Sequence, residues 1–232
     1  MKNGKRVNVL LLLILFFFVG VAGVGLFNYY GISTHDGHHH IARGYDAIRS
    51  FSEGHFPLRW AGSLNYFCGV PIFNFFYPLI YYLVIILNPF TSDVIITLKI
   101  ISILSLVVGT ISFYLWLKNE TKNIYASFAG AVLYLFVPYR LLLIYVRNSP
   151  EYLAYAIFPL VLYFYSKALE EKQEKKFTLF LFAASLTGGL MAISHNFTVM
   201  FLMPILFVYL ILKVCLQKRL DLKNCGYIAF SY

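Results

Sequence analysis

The densest run of side chains able to do chemistry is Ser33-Thr34-His35-Asp36-Gly37-His38-His39-His40. Three readings compete for Asp36. It can be a helix N-cap whose carboxylate accepts backbone N–H bonds. It can join His39 and His40 in holding a divalent metal such as zinc or manganese, because Asp and His at i and i+4 share a helix face. It can also be a general base at the membrane surface that deprotonates an acceptor hydroxyl. Three consecutive histidines cannot all face one ion from a helix, so part of the run reads as exposed polar surface. Further along stand Pro138-Tyr139-Arg140, Arg147-Asn148-Ser149-Pro150-Glu151 and Ser194-His195-Asn196. Arginine offers a planar fork suited to phosphate or carboxylate. The plainer alternative is pairing with Asp46, Glu53 or Glu151, or with lipid headgroups. A lone histidine at a turn is more often structural than functional.

The elements that must position these residues follow from composition. The chain has 232 residues, 60% hydrophobic and 12% charged, with a formal net charge of +9. That leaves too little polar surface for a water-soluble monomer, and it excludes disorder and a disulfide scaffold. Cys68, Cys215 and Cys225 show no metal-binding spacing. The apolar run Val7–Phe27 is 21 residues long, enough for a helix to cross a hydrocarbon core of about 20 residues. It follows Lys2, Lys5 and Arg6 without a clear cleavage site, and so reads as an uncleaved anchor with a cytoplasmic N-terminus.

The expected fold is an all-α polytopic transmembrane helical bundle in one domain. Spans are expected at about 7–27, 94–117, 124–146, 152–167, 177–194 and 197–214. The first loop, 28–93, is expected outside the cytoplasm and to carry interfacial helices. One of these begins near Asp36, with Ile41, Tyr45, Ile48 and Ser52 on its apolar face and Arg43, Asp46, Arg49 and Glu53 turned away. The stretch 72–90 is short and holds Asn74, Pro78 and Pro89. It is read as re-entrant or interfacial, because crossing would place the downstream lysines outside against the positive-inside rule. In this layout 13 of the 19 Lys and Arg face the cytoplasm, including eleven of twelve lysines, while Arg43, Arg49, Arg59, Arg140 and Arg147 lie outside. Most of the basic excess is then an orientation signal, so no nucleic-acid partner is expected. No Gly-rich phosphate loop suggests a nucleotide. The run Lys167–Lys176 reads as a solvated connector. Gly226–Tyr232 looks like the start of another apolar span, as in a piece of a longer protein. The layout gathers Asp36, His40, Arg140, Arg147, Glu151 and His195 on one face, where ionisable groups at membrane depth are functional candidates.

An ordered set of motifs carries a resemblance. Asp36 with His40, Pro57-Leu58-Arg59-Trp60, Gly69-Val70-Pro71, Phe73-Asn74-Phe75-Phe76-Tyr77-Pro78 and the three later motifs resemble the 6-pyruvoyl-tetrahydropterin synthase-related membrane domain family. That family looks like part of the GT-C class of integral membrane glycosyltransferases, which transfer a sugar from a polyprenyl-phosphate carrier outside the cytoplasm. The resemblance implies a cell-membrane enzyme acting on a polyprenyl-phosphate-linked sugar and a glycan or protein acceptor. It implies Asp36 as the acidic residue of the first loop, acting as base toward the acceptor, and His40 or His195 to orient it or join a metal. Arg59, Arg140 and Arg147 would neutralise the leaving phosphate, with Glu151 beside them. Trp60, Tyr66 and Tyr77 would stack on sugar or line the lipid groove, although such aromatics more often anchor an interface. The segment 147–151 departs from the pattern, which has small residues before the acid. The alternative functions are a transporter or flippase of lipid-linked glycans, and a non-catalytic membrane scaffold.

Overall fold

The computed structural model describes residues 2–27 and 34–216. Ser33, Cys225 and the 226–232 stretch lie outside the described residues. Nine α-helices occur among them: α1 (Lys2–Gly23), α2 (Gly37–Ser52), α3 (Leu79–Thr91), α4 (Val94–Thr121), α5 (Ile124–Leu135), α6 (Pro138–Leu142), α7 (Glu151–Glu170), α8 (Glu174–Ala192) and α9 (Asn196–Leu216). No strand forms among the described residues beyond one isolated bridge between Ala61 and Val70. Among the described residues, four helices are long and apolar enough to cross a bilayer, namely Arg6–Phe27, Val94–Thr121, Glu151–Glu170 and Asn196–Leu216.

Local chemistry sets the boundaries. The Asp93 carboxylate accepts from the amides of Ile95 and Ile96 at 2.6 and 3.0 Å and starts α4. Asn123 does the same for α5 through Tyr125 and Ala126. These side chains satisfy N–H groups that a helix start leaves unpaired. The stretch expected as one straight span over 124–146 is instead broken: α5 ends before Pro138, and the segment 138–147 leaves it at 41°. Proline lacks an N–H and clashes with the preceding turn, so it opens a new helix rather than continuing the old one.

Helix α4 is the hub, packed mainly on α7 and α5 and also on α1 and α3. Its close approach to α7 runs through Gly109, where a Cβ would lie 3.1 Å from Ala156 Cα. Contacts along the helices fix their directions. Asn8 of α1 accepts from Tyr114 and Lys118 near the end of α4. Ala22, near the end of α1, accepts from Tyr145. Asn119 of α4 meets Ser166 of α7. Glu151 at the start of α7 meets Thr198 at the start of α9, and Glu170 at its end meets Lys213. Helices α1, α4, α5, α7, α8 and α9 therefore alternate in direction along the chain. The bundle has two polar ends. Helices α2 and α3 both sit at the end that holds Asp36, where Leu79 donates to Ile193 of the α8–α9 turn.

The opposite end carries a cluster of which sequence reading placed one member, Glu170, in a solvated connector. The buried Lys213 ammonium donates to Glu120 Oε1 at 2.5 Å, to Glu170 Oε1 at 3.0 Å and to Ser166. Asn119, Lys122 and Tyr209 complete it. Glu170 is thus a tie between α4, α7 and α9, not part of a solvated connector.

The orientation of α2 also differs from the expected one. Its buried face is Gly37, His40, Gly44 and Ala47, with Asp46 and Ser50, while Tyr45 is exposed. Small residues decide this: a Cβ at Gly44 would stand 2.7 Å from Val94 Cγ1. The helix lies so close to α4 that only its smallest side chains fit the contact, and apolarity ranks second to size.

Candidate functional site

The site is built at the mouth of the bundle. After α6 the chain forms a π-helical turn, Leu143–Arg147, closed by Asn148 in the left-handed region at φ 50°. Such a turn leaves carbonyls unpaired. Those of Val146 and Arg147 accept from the amides of His35 and Asp36, both at 2.9 Å. Two backbone bonds therefore pin Asp36 beside Arg147. The N-cap role, one of the three open to the Asp36 carboxylate, goes to Thr34, whose hydroxyl accepts from the Gly37 amide at 3.1 Å. The carboxylate instead meets His35 Nδ1 at 2.8 Å and Arg147 Nε at 3.9 Å.

Arg147 joins two acids, since its Nη1 also donates to Glu151 Oε2 at 3.3 Å. The other Glu151 oxygen accepts from the Tyr139 and Thr198 hydroxyls at 2.9 and 3.1 Å. The Thr198 hydroxyl also lies 2.8 Å from His195 Nδ1, and the Thr198 amide donates to the same nitrogen at 3.2 Å. Nδ1 is held as an acceptor by that amide, which leaves the proton of a neutral ring on Nε2. Burial lowers the His195 pKa, so the ring is neutral at neutral pH. Tyr77 packs on it at 4.4 Å between ring centroids. A cavity of about 410 Å³ opens here, lined by Phe76, Tyr77, Arg147, Glu151, His195 and Phe197 among others. Arg43 lies over the Phe76 ring at 4.2 Å.

The structure therefore brings together Asp36, Arg147, Glu151, His195 and Tyr77 and separates the other candidates from them. His40 is 2% exposed and bonds through Nδ1 to the Tyr81 hydroxyl at 3.1 Å, inside the contact between α2 and α3. Burial lowers its pKa to about 4. His39 faces solvent. Among the described residues no three His, Cys, Asp or Glu side chains group as metal ligands, and the set Asp36, His39 and His40 does not assemble as one. Arg140 is 3% exposed, stacked on Tyr134 at 4.3 Å and donating to the carbonyls of Tyr134 and Ser105 at 3.1 and 3.4 Å. It holds α5, α6 and α4 together and does not line the cavity. Arg59 and Trp60 line a different cavity, with Asp46. Asp36 and Asp46 are ten residues apart on one helix, which separates them by roughly 15 Å.

Sequence reading missed two groups. Thr198, three residues after His195 at a helix start, could have been found as its capping partner. Arg43 was seen only as a basic residue of the outer loop. Asn148 is fully buried, and neither of its side-chain polar atoms has a hydrogen-bond partner among the described residues.

The fold and the polar mouth define a multi-pass membrane protein of the helical-bundle class. The family described as 6-pyruvoyl-tetrahydropterin synthase related domain, a membrane protein family, matches residues 73–230, and the chain belongs to it. The matched region holds Arg147, Glu151 and His195, while Asp36 and α2 precede it. No curated protein and no solved structure matches the chain.

Proposed function

We propose that the protein is a glycosyltransferase of GT-C type that moves a sugar from a polyprenyl-phosphate donor to a glycan or protein acceptor outside the cytoplasm. The observation that supports this reading best is the Asp36–Arg147–Glu151–Thr198–His195 network at the mouth of an apolar bundle. A donor of this kind keeps its tail among lipids and its phosphate at headgroup level, which is where a half-exposed arginine between two acids would meet it. Asp36 takes the proton of the acceptor hydroxyl as that oxygen bonds to the anomeric carbon. The bond from that carbon to the phosphate oxygen breaks, and the electron pair leaves with the phosphate. Arg147, with Arg43 nearby, offsets the charge that develops there. His195 and Tyr77 face the same cavity and border the sugar. His40 holds α2 on α3 and acts through position rather than by touching the reacting atoms.

The test is transfer from radiolabelled polyprenyl-phosphate sugars by the full-length protein in membranes. Asp36→Asn removes the base and keeps the shape, and is expected to lower transfer by about 10²–10⁴-fold. Transfer undiminished by Asp36→Asn sinks the assignment of Asp36.

A further inference from the structure

The end of the bundle opposite Asp36 holds two kinds of lysine. Lys213 and Lys122 are matched by carboxylates, the first by Glu120 and Glu170 and the second by Glu170. Lys118 of α4 is not. It is partly buried, and among the described residues its contacts are neutral. Its Nζ donates to Asn8 Oδ1 of α1 at 2.7 Å and stands 5.6 Å from the centre of the Tyr114 ring. The same Asn8 oxygen accepts from the Tyr114 hydroxyl at 2.6 Å. Asn8 is the one residue in the run Val7–Phe27 whose side chain can hydrogen-bond, and it holds this ammonium and this ring together. An ammonium has three N–H donors, so two remain after Asn8 has taken one. The seam below them is apolar, with Leu12, Leu15, Leu115 and Phe128 packed around Tyr114.

Positive charge at one end of a bundle serves orientation, and an exposed connector lysine such as Lys172 meets that need. Orientation does not require an ammonium held in the seam between two helices by neutral groups. A partly buried cation without a counter-charge is costly, and an anion that reaches it lowers the cost. That anion must arrive where the spanning helices end, beside surface that faces lipid. Val9 and Leu10, next to Asn8, are 55% and 57% exposed. A phosphodiester carrying acyl chains meets both conditions. Its charge sits at headgroup level, where basic groups between helices attract it, and its chains follow the apolar face of α1.

We infer that Lys118, Asn8 and Tyr114 form a headgroup site for an anionic phospholipid in the leaflet at this end, with the Lys118 ammonium donating to the phosphodiester. A zwitterionic lipid carries the same phosphate, but its own ammonium already balances it, so the net-negative headgroup is preferred. The site lies at the far end from Asp36 and stands whether or not the protein transfers a sugar.

The experiment is native mass spectrometry of the full chain in detergent, with dioleoylphosphatidylglycerol or dioleoylphosphatidylcholine added. Inorganic phosphate serves as the probe without acyl chains. Phosphatidylglycerol is expected to be retained in preference to phosphatidylcholine, and Lys118→Gln to weaken its retention about fivefold. Lys172→Gln makes the same charge change on an exposed connector and is expected to weaken it by less than about twofold. Should Lys118→Gln fail to fold, Asn8→Leu decides, because it releases the ammonium from α1 and is expected to lower retention too. Equal retention of the two lipids, retention unchanged in Lys118→Gln or in the deciding Asn8→Leu, or equal loss in Lys118→Gln and Lys172→Gln would each overturn the proposal. Displacement of the lipid by millimolar inorganic phosphate would overturn it as well, since the site would then take a free anion.

Discussion

At Glu151 one carboxylate accepts from Tyr139 and Thr198 and faces the Arg147 guanidinium. Glu151→Gln keeps the shape and removes the charge, leaving Arg147 with Asp36 as its remaining acid in the site. The substitution is expected to lower stability by about 1–3 kcal/mol, read as a lower thermal midpoint in detergent; an unchanged midpoint would show that the network carries no stabilising charge. His40 gives a pH signature. Its folded pKa lies near 4, below the ordinary 6.5, because burial disfavours the charged ring. Between these values the unfolded state binds more protons, so stability rises with pH. The contribution is complete above about 6.5 and is lost as pH falls toward 4, by about 3 kcal/mol in total. Burial of His195 adds in the same direction. His40→Gln, which can still bond to Tyr81 but does not titrate, is expected to flatten most of this slope in thermal unfolding measured at several pH values.

Elements meet here through small residues. Gly44 lets α2 lie against Val94 and Val84, where a Cβ would stand 2.7 and 3.6 Å from their methyl groups. Gly44→Val is therefore expected to cost about 1–3 kcal/mol by overpacking. Val94→Ala in the same chain should restore a large part of that loss, and a double variant no more stable than Gly44→Val would show that the clash lies elsewhere. The π-helical turn after α6 plays a comparable positioning part, since its carbonyls hold the Asp36 backbone. Its position was not readable from the run Leu143–Arg147, whose apolar residues suit an ordinary helix equally well. The break before it falls at Pro138, but proline also occurs inside α7 and α9 without ending them, so the residue alone did not mark the bend.

The whole molecule is a bundle with a different polar cluster at each end. At the lysine end, Lys213 is buried between Glu120 and Glu170. Lys213→Met leaves two carboxylates close together and is expected to cost about 3 kcal/mol or more. Adding Glu120→Gln should recover part of it, as a double-mutant cycle on thermal midpoints would reveal. The layout proposed across the bilayer has its own check. Cys68 is exposed at the Asp36 end and Cys215 is exposed near the end of α9. With Cys225 changed to Ser, a membrane-impermeant maleimide is expected to label Cys68 on intact cells and to leave Cys215 unlabelled until the membrane is opened. Labelling of Cys215 alone would reverse the orientation and place the Asp36 end in the cytoplasm.

Composition and long apolar runs determined that the protein is a membrane helical bundle, because a bilayer accepts helices whose backbone bonds close internally and whose side chains are apolar. Motif order was enough to place the chain in its family, and Arg147-Asn148-Ser149-Pro150-Glu151 with His195 was enough to nominate one end of the bundle. Tertiary structure decided which nominees meet. Arg140 and Arg147 are seven residues apart and alike in type, yet one is sealed between helices and the other lines the mouth, because a bend and a π turn separate them. Trp60 and Asp36 share a loop, yet Trp60 lines the cavity at the far end of α2 while Asp36 pairs with Arg147 at the mouth, because α2 runs between them. Asp46 was assigned to the solvent face of α2 and is buried, since Gly44 and Ala47 set the contact. The ion cluster at Lys213 joins residues up to 93 apart in sequence, and no local pattern marks a pairing that only the packing of α4, α7 and α9 creates.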